Sequence, residues 1–137
     1  MKAIILAGGL GTRLRNTVKN LPKPMAPING KPFLEHQMNY WIKQAISHFS
    51  LSVGYLSETI IDYFGPCYKG IPIKYFVENK PLGTGGGMLS AAKEMKEEFL
   101  LLNGDTFIEI ELKKLYNFHV NNSSLCTLSV FMASSNK

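Results

Sequence analysis

The sequence is short of cysteine, of clustered charge and of long apolar runs. Two cysteines stand among 137 residues, Cys67 and Cys126, and they form no C-x-x-C pair. That excludes a zinc ribbon and a disulfide framework, and leaves both thiols expected as small buried hydrophobes. The 15 lysines and arginines outnumber the 10 acids, giving a formal net charge of +5, yet no basic run exceeds the pair Lys113, Lys114. Nucleic-acid recognition gathers basic residues on one face, so this scattered excess points to a small anionic ligand instead. No apolar run approaches the roughly 20 residues of a membrane span. The run from Ala3 to Ala7 is also too short for a secretory signal, and it ends in glycine. The expectation is a cytoplasmic protein with neither nucleic acid nor membrane as partner.

What is present is a core-forming composition, 45% hydrophobic and 18% charged, in a chain long enough for one domain or part of one. Lys2 to Ala7 reads as a strand buried on both faces of a parallel sheet. From Pro32, placed as a first helical residue, Phe33, Leu34, Met38, Trp41, Ile42 and Ala45 share one helical face, which predicts a helix to about Ser47. Phe49, Leu51, Val53 and Tyr55 alternate with small or polar residues as in a strand, and Ser57 offers an N-cap for a short helix ending at Gly65. Ile71, Ile73, Tyr75 and Val77 alternate again. A glycine-rich loop follows, then a helix over MLSAAKEMKEE (88–98), a strand over FLLLN (99–103), a helix over ELKKLYNFHV (111–120) and a fifth strand over LCTLSVFM (125–132). Strands alternating with helices give an α/β class with a doubly wound, mainly parallel sheet.

The glycine stretch after the first strand, AGGLGTR, is of a kind that lets backbone N–H groups approach a phosphate. It is not a P-loop, since Arg13 stands five residues beyond Gly8 and no Gly-Lys pair is followed by Ser or Thr. Nor is it the dinucleotide fingerprint, because Leu14 occupies the place of the third glycine. Its distinguishing feature is two cations ten residues apart, Arg13 and Lys23, on a segment broken by Pro22, Pro24 and Pro27. An arginine fork with a lysine point charge suits a polyphosphate. A tight turn followed by solvated basic residues fits this stretch taken alone equally well.

The longer stretch GGLGTRLRNTVKNLPKPMAPINGKPFLE resembles the signature of the sugar-1-phosphate nucleotidyltransferases, in which G-G-x-G-[ST]-R is followed after a spacer by P-K-P. ENKPLGTGGG and LLNGDTF resemble two further motifs of that family in the same order. PKPMAPI, KPFLE, PLGTGG and LNGDTF are most similar to the D-glycero-D-manno-heptose 1-phosphate guanylyltransferases within it. One departure is visible: many relatives carry a proline and a threonine after the arginine, where this chain reads Leu14, Arg15, Asn16, Thr17, Val18.

The resemblance implies a Rossmann-like nucleotidyltransferase fold, with residues 1–137 as the nucleotide-binding, N-terminal part of a longer domain that binds nucleotide weakly and turns over little by itself. It implies transfer of a nucleoside monophosphate from a triphosphate, GTP favoured, to a sugar 1-phosphate such as a heptose 1-phosphate, with release of pyrophosphate. Mannose-1-phosphate guanylyl transfer, uridylyl or thymidylyl transfer, and a catalytically silent regulatory module stand as alternatives. The implied catalytic residues are Arg13, Lys23 and Asp105, with Mg²⁺ as cofactor on Asp105. The implied nucleotide-binding residues are Leu6, Ala7, Gly8, Gly9, Gly11, Thr12 and Arg13 in the first loop, Glu78, Pro81, Leu82, Gly83, Thr84 and Gly85 before the third helix, and Gly104. Glu78 matches a position near the base, where a carboxylate can accept from guanine N1–H and the 2-amino group together, against a single N3–H in uracil or thymine. Read by position alone, Asp105 serves equally as a turn cap, and Glu78 as a solvated partner of Lys74 or Lys80.

Overall fold

The computed structural model describes residues 1–9 and 20–130. They fall into two compact units, Met1–Phe107 and the segment from Ile108 onward. The first holds seven strands and three helices: β1 (Lys2–Ala7), β2 (Pro27–Ile28), β3 (Lys31–Pro32), α1 (Phe33–Ile42), β4 (His48–Val53), α2 (Ser57–Phe64), β5 (Cys67–Tyr68), β6 (Ile71–Val77), α3 (Gly83–Ala92) and β7 (Phe99–Asn103). The main sheet runs β5-β6-β4-β1-β7, and β2 and β3 form a separate hairpin. All main-sheet pairings are parallel except the short edge strand β5.

This order is the doubly wound one expected from the alternating strands and helices. From β1 the chain steps outward through β4 to β6, then returns to lay β7 on the other side of β1. Crossovers of one hand place the helices of the outward steps and of the return step on opposite faces. β1 is covered on both sides, which is why its continuous KAIILA run leaves Ile4 and Ile5 fully buried. In β4 the alternation read from the sequence separates two buried faces rather than an inner and an outer one. Phe49, Leu51 and Val53 are buried, and so are Ser50 and Ser52. The serine face is closed by α3, a helix of glycine and alanine whose small side chains let its backbone come close to the sheet.

The helix ends differ from the periodicity in instructive ways. α1 starts at Phe33, one residue after Pro32, and stops at Ile42 instead of Ser47. Ala45 N donates to Ile42 O and Ile46 N to Trp41 O, with Ala45 in the left-handed region at φ 65°. Buried Ile46 and Trp41 supply the apolar contact of this Schellman ending. α2 begins at Ser57, but no side chain caps it; Leu56 precedes it at φ 51° and Ser57 N donates to Gly54 O. α3 occupies Gly83–Ala92, where MLSAAKEMKEE had been expected to be the helix. Of the glycines in this helix Gly87 packs on the sheet, where a Cβ would fall 2.9 Å from Ser52 Oγ, and the helix ends where the charged residues after Ala92 no longer have an apolar face to bury. Cys67 and Cys126 are free and exposed, not buried, Cys67 because it lies on the edge strand β5.

In the second unit, α4 (Leu112–Asn121) follows Glu111, whose carboxylate accepts from Lys114 Nζ at 2.7 Å. The expected fifth strand is absent over residues 125–130, where Leu125, Leu128 and Val130 are exposed. A strand is defined by its ladder, and the described part of this segment forms none; residues 131–137 lie outside the described residues.

Candidate active site

β4, β1 and β7 end together. Ala7 lies opposite Val53 and Leu6 opposite Asn103, so Gly8, Gly54 and Gly104 leave the sheet side by side. Their spacing admits no side chain: a Cβ on Gly54 would lie 2.9 Å from Gly8 O, and one on Gly104 would lie 2.8 Å from Leu6 O. Gly104 N in fact donates to Leu6 O at 2.8 Å. The strand order reverses between β1 and β7, the place where open α/β sheets bind ligands beyond their carboxyl ends.

Two predicted catalytic residues meet at this edge. Lys23 opens a single 3-10 turn, Lys23–Met25, in which Pro22, Pro24 and Met25 are buried. The prolines fix the backbone and pack inward, leaving Lys23 to project. Its Nζ donates to Asp105 Oδ2 at 2.5 Å, with the two side chains 36% and 38% exposed, so both can still reach a ligand. Thr106 Oγ1 donates to Asp105 Oδ1 at 3.1 Å. The Lys23 ammonium holds the Asp105 carboxyl below the usual carboxylate range, with the Thr106 hydroxyl acting in the same direction. Asp105 is therefore an ionised, hard-oxygen donor. Among the described residues no group of three His, Cys, Asp or Glu is placed to hold a metal. One exposed carboxylate is nonetheless what Mg²⁺ requires from a protein when substrate phosphates complete its shell, and Asp105 fits that role.

Glu78 occupies the other end of the site. Ser52 Oγ donates to its Oε1 at 2.7 Å and Leu82 N to its Oε2 at 3.1 Å, while Glu78 N donates to Val53 O at 2.7 Å. A Cβ on Gly8 would fall 2.8 Å from Oε1, and one on Gly87 2.7 Å from it. The carboxylate thus sits where the β1 loop, β4 and the start of α3 converge. Lys74 pairs with Glu94 instead. Pro81 and Leu82 are exposed before α3, and Gly83 and Gly85 open its first turn with no heavy atom within 4 Å of an added Cβ. Thr84 lies between them, with free helix-terminal N–H groups beside it. Leu6 and Ala7 line the centre through their main chain. Among the described residues no heavy atom lies within 4 Å of a Cβ added at Gly9. Gly11, Thr12 and Arg13 lie outside the described residues.

The sequence reading did not single out Ser52, Gly54 or Gln37. In the sequence Ser52 reads only as a small or polar position of an alternating strand. Gly54 carried a signal, a glycine directly after a strand at the end where ligands bind. Gln37 carried another, a polar residue one helical turn from both Phe33 and Trp41 on the apolar stripe of α1.

The nucleotidyl transferase family model matches residues 2–137. The chain belongs to that family. It is 52% identical over 126 residues to a D-glycero-alpha-D-manno-heptose 1-phosphate guanylyltransferase of Campylobacter jejuni, covering 92% of this chain and 56% of that protein. It is 47% identical over 131 residues to the enzyme of the same name from Aneurinibacillus thermoaerophilus, covering 95% of this chain and 57% of that one. The chain therefore spans a little over half the length of these relatives. Among solved structures, HddC from Yersinia pseudotuberculosis complexed with GMP-PN matches with a TM-score of 0.78 and 39% identity, over 88% of this chain and 54% of that one. The chain has the mostly parallel α/β fold that its motifs implied.

Proposed function

We propose that this chain forms the nucleotide-binding part of an enzyme that transfers GMP from GTP to a sugar 1-phosphate, with a heptose 1-phosphate as the favoured acceptor. The observation that carries the reading is the meeting of Lys23 and Asp105 at the β1–β7 edge, next to a glycine loop built for close approach. The names of the two relatives and the GMP-PN complex of HddC support guanine and heptose over the mannose, uridylyl and thymidylyl alternatives. GTP and a phosphosugar are metabolites of the cytoplasm, which is the proposed location.

In the reaction, an oxygen of the sugar 1-phosphate attacks the α-phosphorus. One P–O bond forms, the α–β bridging bond breaks, and its electron pair leaves with pyrophosphate. The attacking phosphate is already ionised, so no protein nucleophile or base is needed, and the protein's work is alignment and charge neutralisation. An ammonium has three donors. Lys23 uses one on Asp105 and keeps two, enough to bridge an oxygen of the attacking phosphate and one of the α-phosphate. Arg13 is assigned to the leaving polyphosphate, which its guanidinium can grip with two parallel bonds. Asp105 would hold Mg²⁺, which when bound supplies Lewis-acid charge neutralisation at the phosphates. The open N–H groups at the start of α3 favour an anionic or hydrogen-bonding edge of the nucleotide. Glu78 retains a second lone pair on each oxygen, and these accept guanine's paired donors.

Pyrophosphate release, measured over GTP, ATP, UTP, CTP and dTTP against heptose, mannose and glucose 1-phosphates in a chain extended to the relatives' length, tests the reading. GTP with a heptose 1-phosphate should stand highest. No release with any pair would overturn it.

A further inference from the structure

Gln37 is 1% exposed, yet it makes two hydrogen bonds and leaves one atom without a partner. Its Nε2 donates to Asn103 O and to Thr106 O, both at 2.9 Å, while Oε1 has no hydrogen-bond partner among the described residues. The two acceptors bracket the Gly104–Asp105 turn. From the opposite side, Gly104 N is tied to Leu6 O of β1, and the space there is too small for a Cβ. α1 also receives the Lys23 turn, because Phe33 N at its start donates to Ala26 O at 2.9 Å. One helix thus holds both backbones that carry the 2.5 Å pair, Lys23 through Ala26, whose N–H donates to Lys23 O, and Asp105 through Gln37.

We infer that Gln37 is a positioning residue, a clasp that fixes the Asp105 turn so that its carboxylate meets Lys23 and the substrate phosphates at one set distance. An amide buried with an unpaired oxygen is a poor choice for stability, since an apolar side chain of the same length would fill the space without the desolvation cost of Oε1. What an apolar side chain cannot do is donate to two carbonyls three residues apart. The inference rests on the reading of Asp105 given above.

Gln37→Met keeps the length and removes both donors. In a chain of the relatives' length, kcat should fall on the order of 10²-fold, the scale of an ångström-size misplacement of a catalytic group, while KM for GTP stays within about twofold because the base and glycine loops are untouched. Amide hydrogen exchange at Gly104, whose N–H is tied to Leu6 O, should quicken in the folded protein, a readout independent of turnover. Gln37→Leu, which removes both donors with an apolar chain of a different shape, should give the same pattern and serves if the Met variant does not fold. Unchanged kcat and unchanged exchange in a folded variant would overturn the clasp. Asp105→Asn, run in parallel, separates the two claims: if it abolishes turnover while Gln37 variants are silent, only the clasp falls, and if it turns over normally, the site reading falls first.

Discussion

Lys23 and Asp105 are 82 positions apart in the chain and 2.5 Å apart in the fold. Each arrives on its own short turn, and the contact exists only because β7 is laid beside β1 after the chain has wound out through β4 and β6 and back. The ion pair keeps an ionised carboxylate and a cation with spare donors side by side at the β1–β7 edge.

Asp105→Asn should abolish transfer while leaving the fold intact. Asn keeps one carbonyl oxygen but not the charge that retains Mg²⁺, and a loss of about 10²-fold or more in kcat is expected, the scale of removing one preorganised electrostatic contact. A turn cap would behave otherwise, with about 1 kcal/mol or less of stability lost and near-normal rates. Mg²⁺-dependent turnover and thermal melting of the same variant decide between them.

Glu78→Gln should erode the preference for GTP over UTP by about 10- to 100-fold, the range of 1–3 kcal/mol for losing paired polar contacts. The comparison of kcat/KM for GTP, ITP and UTP reads this directly. ITP lacks the 2-amino donor and should discriminate between the two proteins less than GTP does. An equal loss for all three nucleotides would make Glu78 a brace for Ser52 and Leu82 N alone.

Gly54→Ala places a methyl group 2.9 Å from the backbone oxygen of Gly8, and backbone cannot swing aside as a flexible side chain can. The first loop must shift. A stability loss of about 1–3 kcal/mol is expected, with nucleotide affinity down by about tenfold, or 1.4 kcal/mol. Calorimetric titration with GTP checks the second figure, and wild-type affinity would show that the Gly8 loop does not set binding.

Glu35 makes a prediction about acid stability away from the site. It is 6% exposed and accepts from Tyr63 Oη at 2.6 Å and from Lys31 Nζ at 2.9 Å. The Tyr63 hydroxyl first, and Lys31 next, bring its pKa down from 4.5 to about 2. A carboxyl whose folded pKa is depressed stabilises the fold above its unfolded value and loses that contribution as pH falls toward the folded one. Glu35→Gln should cost about 1–3 kcal/mol at pH 7, and the gap to wild type should narrow between pH 4.5 and 2. Melting curves across that window test it.

Ala45→Gly should be mildly stabilising. Alanine in the left-handed region carries about 1–2 kcal/mol of strain, partly offset by the greater chain entropy that glycine brings to the unfolded state, which leaves a gain of about 1 kcal/mol or less. Chemical denaturation resolves a change of that size. A loss of stability would mean that the Ala45 methyl packs more usefully than the turn suffers.

The sequence by itself determined the local facts. KAIILA had to be a doubly covered strand because every side chain in it except Lys2 is apolar. The order of strands and helices followed from a change of period that needs no tertiary information, and the motifs marked Lys23, Asp105 and the glycine loops because charge and missing side chains are visible in one dimension. The sequence could not say that the serines of β4 are buried, since a small polar residue alternates in the same way whether it faces water or the backbone of a glycine helix. Nor could it say that α3 begins within the glycines, because glycine's low propensity is overridden only when a close-packed sheet rewards the absence of a Cβ. The tertiary structure alone decided that Glu78 sits among Gly8, Ser52, Leu82 and Gly87, and that Gln37 reaches the two carbonyls flanking Asp105. The Ser52–Glu78 and Gln37–Thr106 bonds join groups 26 and 69 positions apart, and no local pattern encodes a distance that only the winding of the sheet creates.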